Sequence, residues 1–326
     1  MLSHVAEKHT RYYSIGVIVI WSLYEGSCID VLKTLPENSI DAVVTDPPYE
    51  LGLKNLKWDK SGIAHNPGLW REVLKVLKPG GHLLAFGGSR TYHRLANAVE
   101  EAGFEIRDCL QWLYGTGMPK GVNVAKALNK TRPEIANNWK GWSTNLKPAH
   151  EPIILARKPL DGSVAENVTK WGCGALNIDA CRVGKTGGVK IVDFDKGKPK
   201  NYFGKSLLNG KKVKLDKGRW PTNVMLDQKA LRMLKVQRES ATRFFYVPKP
   251  SKQEKGEYND HDTVKPLELM KYLCRLITPL GGTVLDPFAG SGTTLLAARL
   301  EGFSAIGIEL EAKHCEIIHQ RMAEVD

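Results

Sequence analysis

The hydrophobic positions of this 326-residue chain change their period along its length. Over 21–160, short apolar runs bounded by turn residues alternate with stretches whose apolar positions recur every three or four residues. The run Ser39-Ile-Asp-Ala-Val-Val-Thr45 stops at Asp46-Pro47-Pro48-Tyr49, and His82-Leu-Leu-Ala-Phe86 stops at Gly87-Gly88-Ser89. Such runs suit buried strands of a parallel sheet. A helix is expected over 67–77, where Leu69, Val73, Leu74 and Leu77 share a face, with Lys78-Pro79-Gly80-Gly81 ending it. A second is expected over 92–102, closed by Gly103, and further strands over 104–114 and 152–156. From 161 to 256 the alternation fades. Gly, Lys and Asn become frequent and helical periodicity returns only near 228–234, so the stretch reads as a loop-rich module or a large insertion. After 260 the pattern resumes: a helix over 267–277, a strand over 283–286, a glycine-rich turn, a helix over 293–300, a strand over 304–309 and a terminal helix from 311. The alternation predicts an α/β sheet with crossover helices.

Composition adds little until it is localised. Hydrophobic residues make up 42% and charged residues 25%, which argues against a largely disordered chain. The length allows one large domain or two modest ones. The net charge of +12 is not spread evenly: 185–255 holds 19 Lys+Arg against 6 Asp+Glu, and the remainder holds 28 against 29. That concentration reads either as a solvated Lys-rich loop or as a nucleic-acid-facing element. The apolar run near 15–21 is too short to span a bilayer. No small-x-small cleavage site follows it, so it reads as a strand or an N-terminal extension over 1–20. Six cysteines without a C-x-x-C spacing indicate neither a zinc site nor a disulfide framework, and reduced thiols in a cytosolic protein are expected.

Two turns carry candidate chemistry. Gly290 and Gly292 follow a strand and open a helix, and Glu309 ends the next strand 19 residues after Gly290. This is the spacing of a nucleotide-type unit in which backbone approaches the ligand and an acid accepts from two ribose hydroxyls. The third glycine of the dinucleotide pattern is replaced by Leu295, and no phosphate-loop lysine motif is present. Asp286 beside the loop repels a pyrophosphate but suits the ammonium of an amino-acid moiety, which favours S-adenosylmethionine over NAD. At the other turn, Pro47 and Pro48 fix two φ angles and remove two N–H donors. The Asp46 carboxylate and neighbouring carbonyls are left as a row of acceptors for an amino group, with Tyr49 as an aromatic plane for a base. Trp139, Trp142, Trp171 and Trp220 are expected as core residues. His93 and His314 are expected on surfaces or helix faces, and His261 in a structural hydrogen bond.

Three motifs together, Asp46-Pro-Pro-Tyr49, His261-Asp-Thr-Val-Lys-Pro266 and Asp286-Pro-Phe-Ala-Gly-Ser-Gly-Thr-Thr294, resemble those of the S-adenosylmethionine-dependent amino-methyltransferases of DNA. Their order, catalytic motif before cofactor loop, resembles the circularly permuted β class of N6-adenine and N4-cytosine enzymes. Lys147-Pro-Ala-His-Glu151 and Gly218-Arg-Trp-Pro221 are similar to stretches of phage and prophage members. The resemblance implies a Rossmann-like mixed seven-stranded α/β sheet with one antiparallel strand. A catalytic half over 21–160 and a cofactor-binding half over 257–326 would flank a basic target-recognition region over 161–256. It implies that Asp46, Pro47, Pro48 and Tyr49 are catalytic. Asp286, Gly290, Gly292 and Thr293 would surround the methionine part of the cofactor, with Lys265 near its carboxylate, and Asp46 and Phe288 would be further cofactor-binding residues. Glu309 would hold the ribose, and Cys28, Ile29 and Asp30 would flank the adenine. Gly26-Ser27-Cys28 departs from the Gly-Asp-Cys of many members, which puts a role for Ser27 in doubt. The implied partner is double-stranded DNA, in the cytoplasm of a bacterial, archaeal or phage-infected cell. Many members are dimers and some have a cognate restriction enzyme. Adenine is the expected base, because cytosine-specific members more often carry Ser where Asp46 stands. Transfer to cytosine N4, RNA methylation and a non-catalytic DNA-binding relative are the alternatives.

Overall fold

A computed structural model describes residues 7–12, 18–52, 58–117, 119, 121–184, 188–192, 211–215, 217–238, 245–246 and 264–324. His261 and much of the basic stretch 185–255 lie outside the described residues. Eleven strands are described in chain order: β1 (Glu7–Tyr12), β2 (Ile18–Glu25), β3 (Ile40–Thr45), β4 (Leu77–Phe86), β5 (Glu105–Leu113), β6 (His150–Arg157), β7 (Gly188–Val192), β8 (Lys211–Leu215), β9 (Val224–Leu226), β10 (Thr283–Asp286) and β11 (Ser304–Glu309). The helices are α1 (Cys28–Leu32), α2 (Pro67–Val76), α3 (Tyr92–Glu101), α4 (Val124–Leu128), α5 (Pro133–Ala136), α6 (Val164–Trp171), α7 (Gln228–Arg238), α8 (Leu267–Ile277), α9 (Thr293–Leu300) and α10 (Ala312–Ala323). Among them none is long and apolar enough to cross a membrane.

Nine strands form one sheet in the order β1-β2-β11-β10-β3-β4-β6-β5-β9, and β7 pairs with β8 in a separate ribbon. The inner seven, from β2 to β5, are the expected mixed sheet, with β6 antiparallel to both β4 and β5. Two strands extend it beyond seven. β1 from the N-terminal stretch pairs antiparallel with β2, and β9 from the middle stretch pairs parallel with β5. The central β3 is buried along its whole length, as a strand covered on both faces must be. Its residues alternate between two cores. Ala42 and Val44 join Leu84, Phe86, α8 and α9 on one face; Ile40 and Val43 join Leu83, Ala85, α2 and α3 on the other.

The elements depart from the sequence expectation in three places. The strand expected from His82 starts earlier and takes in Lys78-Pro79-Gly80-Gly81: α2 ends at Val76, and Leu77 already opens β4 opposite Ile40. Pro79 and Gly80 are tolerated there because the ladder shifts register between Ile40 and Ala42, and Gly80 takes φ +79°. The helix α6 inside the fading stretch was announced by Ser163-x-x-Glu166, which forms a reciprocal capping box, and by Gly172 at φ +72° beyond its end. Trp139, Trp142 and Trp220 are not core residues; they are 40%, 60% and 63% exposed. They sit on connections that no second layer covers.

The strand order fixes where a ligand site can lie. From β10 the chain passes through α9 to β11 on one side. From β3 it passes through α2 to β4 on the other. The carboxyl ends of β10 and β3 therefore border the crevice at which the order reverses, the place where open α/β sheets bind ligands.

Candidate active site

Both acids of the two motifs stand at that crevice. Asp286 is the last residue of β10, and Asp46 follows β3 directly. Thr45 links the two halves, donating its hydroxyl to Asp286 Oδ1 at 2.7 Å, and the Phe288 N–H donates to the same oxygen at 3.0 Å. Burial pushes the Asp286 carboxyl up to about 6; the hydroxyls of Thr294 and Thr45 and the Phe288 N–H oppose the shift.

The Asp-Pro-Pro-Tyr turn is held from three sides. Lys265, at the start of the chain's return to the sheet, puts Nζ 2.6 Å from Asp46 Oδ2 and 3.3 Å from Glu151 Oε2. Tyr49 donates its hydroxyl to that Glu151 oxygen at 2.8 Å, and the Thr91 hydroxyl donates to the Tyr49 carbonyl at 2.7 Å. The Lys265 ammonium also lies 5.3 Å from the Tyr49 ring centre and 4.9 Å from that of Phe86. Burial alone would lower the Lys265 pKa, but the carboxylates of Asp46 and Glu151 outweigh it and the net shift is upward. Burial, then the same two carboxylates, hold the Tyr49 phenol well above its ordinary range, so it remains a donor. The sequence reading set Lys265 beside a cofactor carboxylate. Here its ammonium is committed to Asp46 and Glu151, two acids that need a shared counter-charge. With Oδ2 engaged, Asp46 Oδ1 is buried and has no hydrogen-bond partner among the described residues.

The glycine loop forms the second part. Gly290 and Gly292 both take left-handed φ, +56° and +79°. A Cβ at Gly292 would meet Ile318 at 2.9 Å, so close packing as well as backbone conformation demands glycine. The Glu309 carboxylate accepts from the Gly290 N–H at 2.7 Å and the Glu311 N–H at 2.9 Å, which fixes the loop against β11. His314 Nδ1 lies 3.5 Å from Glu309 Oε1, closer to this chemistry than a plain helix face implies. Buried Arg321 donates to Ser291 O, to Ser291 Oγ at 3.1 Å and to Thr293 Oγ1 at 3.0 Å, clamping the start of α9. Cys28, Ile29 and Asp30 form the first turn of α1. The Gly26 N–H donates to Glu309 O at 2.8 Å, bringing that turn beside the β11 end. Cys28 and Ile29 are half-buried, and Asp30 is exposed beside Lys33. Phe288 packs partly against the α2–α3 core.

The fourteen residues singled out from sequence thus fall into two neighbouring groups, Asp46 to Tyr49 with Lys265 and Asp286 to Glu309 with the start of α1. Sequence reasoning did not single out Glu151, Thr45, Phe86 or Arg321. Glu151 lay within the run Lys147-Pro-Ala-His-Glu151, and Arg321 stood among apolar residues on the inner face of α10. Burial raises the thiols of Cys28 and Cys173 to about 11 and those of Cys181 and Cys315 to about 12. None of these is a thiolate nucleophile at neutral pH.

Residues 40–320 match the DNA methylase family of N6 and N4 enzymes. Type II methyltransferase M.HindIII of Haemophilus influenzae is 27% identical, over 88% of this chain and 90% of that protein. DNA adenine methyltransferase YhdJ of Escherichia coli K12 is 26% identical, over 92% of this chain and 82% of that protein. The solved structure of PvuII DNA methyltransferase, a cytosine-N4-specific enzyme, shares the fold at a TM-score of 0.53 and 17% identity, over 92% of this chain and 86% of that one. The match takes in both halves of the crevice and the stretch between them: the chain belongs to the DNA methylase family, the S-adenosylmethionine-dependent amino-methyltransferases of DNA.

Proposed function

We propose that the protein transfers a methyl group from S-adenosylmethionine to the N6 amino group of an adenine rotated out of duplex DNA. The observation that carries the reading is the divided Asp46 carboxylate: Oδ2 anchored by Lys265, Oδ1 buried and unpaired. A buried acceptor without a donor is unfavourable, and an exocyclic amine supplies the missing donor.

The donor set at the second turn fits the cofactor. Asp286, a carboxylate whose charge burial disfavours, gains from an ammonium beside it. Glu309 is held by backbone donors and keeps lone pairs for a ribose diol. The start of α1 beside it would flank the adenine. S-adenosylmethionine supplies there an electrophilic methyl on a sulfonium. The chain's own residues orient the acceptor. Asp46 Oδ1 and the Pro47 carbonyl would accept the two amine hydrogens and draw the nitrogen from planar conjugation. Tyr49, fixed by Glu151 and Thr91, would stack on the base. The contribution is orientation and fixed charge rather than strong base catalysis. The basic stretch over 161–256 would supply target recognition. Adenine is favoured over cytosine by Asp at position 46, and the relative YhdJ is named for adenine.

Modified bases mapped in DNA from cells expressing wild type or Asp46→Ala test this. Wild type should give N6-methyladenine in one sequence context. The variant should give none while binding the cofactor within about threefold of wild type, a range well below the tenfold that corresponds to about 1.4 kcal/mol. N4-methylcytosine instead would overturn the base assignment, and near wild-type transfer by the variant would overturn the role of Asp46.

A further inference from the structure

Between β5 and β6 the chain leaves the sheet at Leu113 and returns at His150. Both ends of this excursion open on the catalytic edge. The Tyr114 N–H donates to Ala149 O at 2.9 Å, and Lys147 Nζ to Gly115 O at 3.1 Å. The second residue of β6 is Glu151, which touches Tyr49 and Lys265. The excursion builds α4 and α5 but almost no core: within 122–149 Ala136 alone is buried among the described residues. Trp139 and Trp142 meet edge to face, ring centres 5.3 Å apart, on this open surface. Large aromatics left exposed in a cluster mark a contact surface. The charge is one-sided. From 122 to 149 there are five Lys+Arg and one Asp+Glu, and that acid, Glu134, is paired with Arg132. Lys126, Lys130 and Lys140 are exposed and make no ion pair among the described residues.

We propose that this excursion is a second DNA-contacting element, separate from the 161–256 stretch. Lys126, Lys130 and Lys140 meet backbone phosphates beside the base held at Asp46, and the Trp139–Trp142 pair packs against the same strand. The inference rests on the DNA methyltransferase reading. Charge complementarity selects the occupant. A polyanion gains from a basic face, whereas the same face of a second copy, with its five Lys+Arg against one Asp+Glu, is repelled. Interleaved cations and aromatics are the combination that tracks a nucleic-acid strand.

Binding of a duplex carrying the methylated sequence, followed by fluorescence anisotropy across a salt series, tests it. Wild type is compared with Lys126→Gln/Lys130→Gln/Lys140→Gln, with cofactor affinity measured alongside. The slope of log K against log salt should become shallower by about 2.7, roughly 0.9 for each phosphate that the variant leaves without a lysine, with cofactor affinity unchanged. DNA should also change the tryptophan emission of wild type more than that of Trp139→Phe/Trp142→Phe. An unaltered slope together with equal emission changes overturns the inference and leaves the methyltransferase reading standing. A wild type that does not bind duplex DNA overturns both. Loss of a wild-type dimer in the lysine variant, at unchanged slope, assigns the face to self-association and also overturns it.

Discussion

Two carboxylates and one ammonium meet at the Asp-Pro-Pro-Tyr turn. Asp46 follows β3 and Glu151 belongs to β6, and Lys265 bridges them from a third part of the chain. Asp46 and Tyr49 were legible in the sequence because they lie in one four-residue run whose prolines dictate its geometry. Glu151 was not, because its role depends on β6 running antiparallel beside β4, a pairing that no local pattern encodes. Asp286 has a titration consequence. Its carboxyl is raised from the ordinary 3.8 to about 6, so the native state binds more protons than the unfolded chain between those values. This group then adds stability to the free protein at low pH and withdraws it as pH rises through about 6, a difference on the order of 3 kcal/mol. Cofactor binding has the opposite sign, since the ammonium needs the ionised form. Affinity for S-adenosylmethionine should fall about tenfold per pH unit below 6 and level off above it. Calorimetric titrations from pH 5 to 8 would show this, and a flat profile would separate Asp286 from the ammonium.

Each element is fixed by a few contacts that reach outside it. The fading of periodicity over 161–256 hid α6, yet this helix is tied tightly to β4. Asn167 is fully buried; it accepts from the Asp161 N–H at 2.9 Å and donates to Pro79 O at 2.9 Å and Cys173 O at 2.8 Å. A Cβ on Gly80 would lie 2.3 Å from its amide nitrogen, so the glycine of the former stop signal is a packing requirement. Replacing Asn167 by Ala removes its bonds to three backbone groups, of which that to the Cys173 carbonyl is buried, at about 1–3 kcal/mol for each group that water does not reach. Asn167→Ala should lower the thermal midpoint by several degrees, roughly 2–4 °C per kcal/mol. A scanning-fluorimetry shift below one degree would show that the amide carries no load. The exposed tryptophans illustrate the opposite limit. Hydrophobicity marks a side chain as fit for burial, but only the presence of a covering layer buries it.

At the scale of the whole molecule, the α/β class was readable from alternation, and the permuted order and the seven-stranded mixed sheet from the family that the motifs resemble. The edge strands β1 and β9 were not, because a short edge strand needs only one buried neighbour and leaves a weak pattern. The sheet is assembled out of sequence order. β3 pairs with β10, and the Thr45–Asp286 hydrogen bond closes a separation of 241 residues. During synthesis at about 5–20 residues per second, β3 therefore waits roughly 12–50 s for its partner. Through that interval one of its edges is unpaired and part of its apolar surface uncovered, the condition in which strands pair with foreign edges. Ribosome-bound chains halted before Thr283 should be cut by protease within 40–45, while released full-length chains should resist. Equal resistance in both would mean that another segment shields β3 first. The permutation thus makes the last fifth of the chain a completion signal: until it emerges, the glycine loop and the acids Asp286 and Glu309 are missing from the crevice, and a ribosome that stops early releases a fragment with half of that crevice and an uncovered β3 edge.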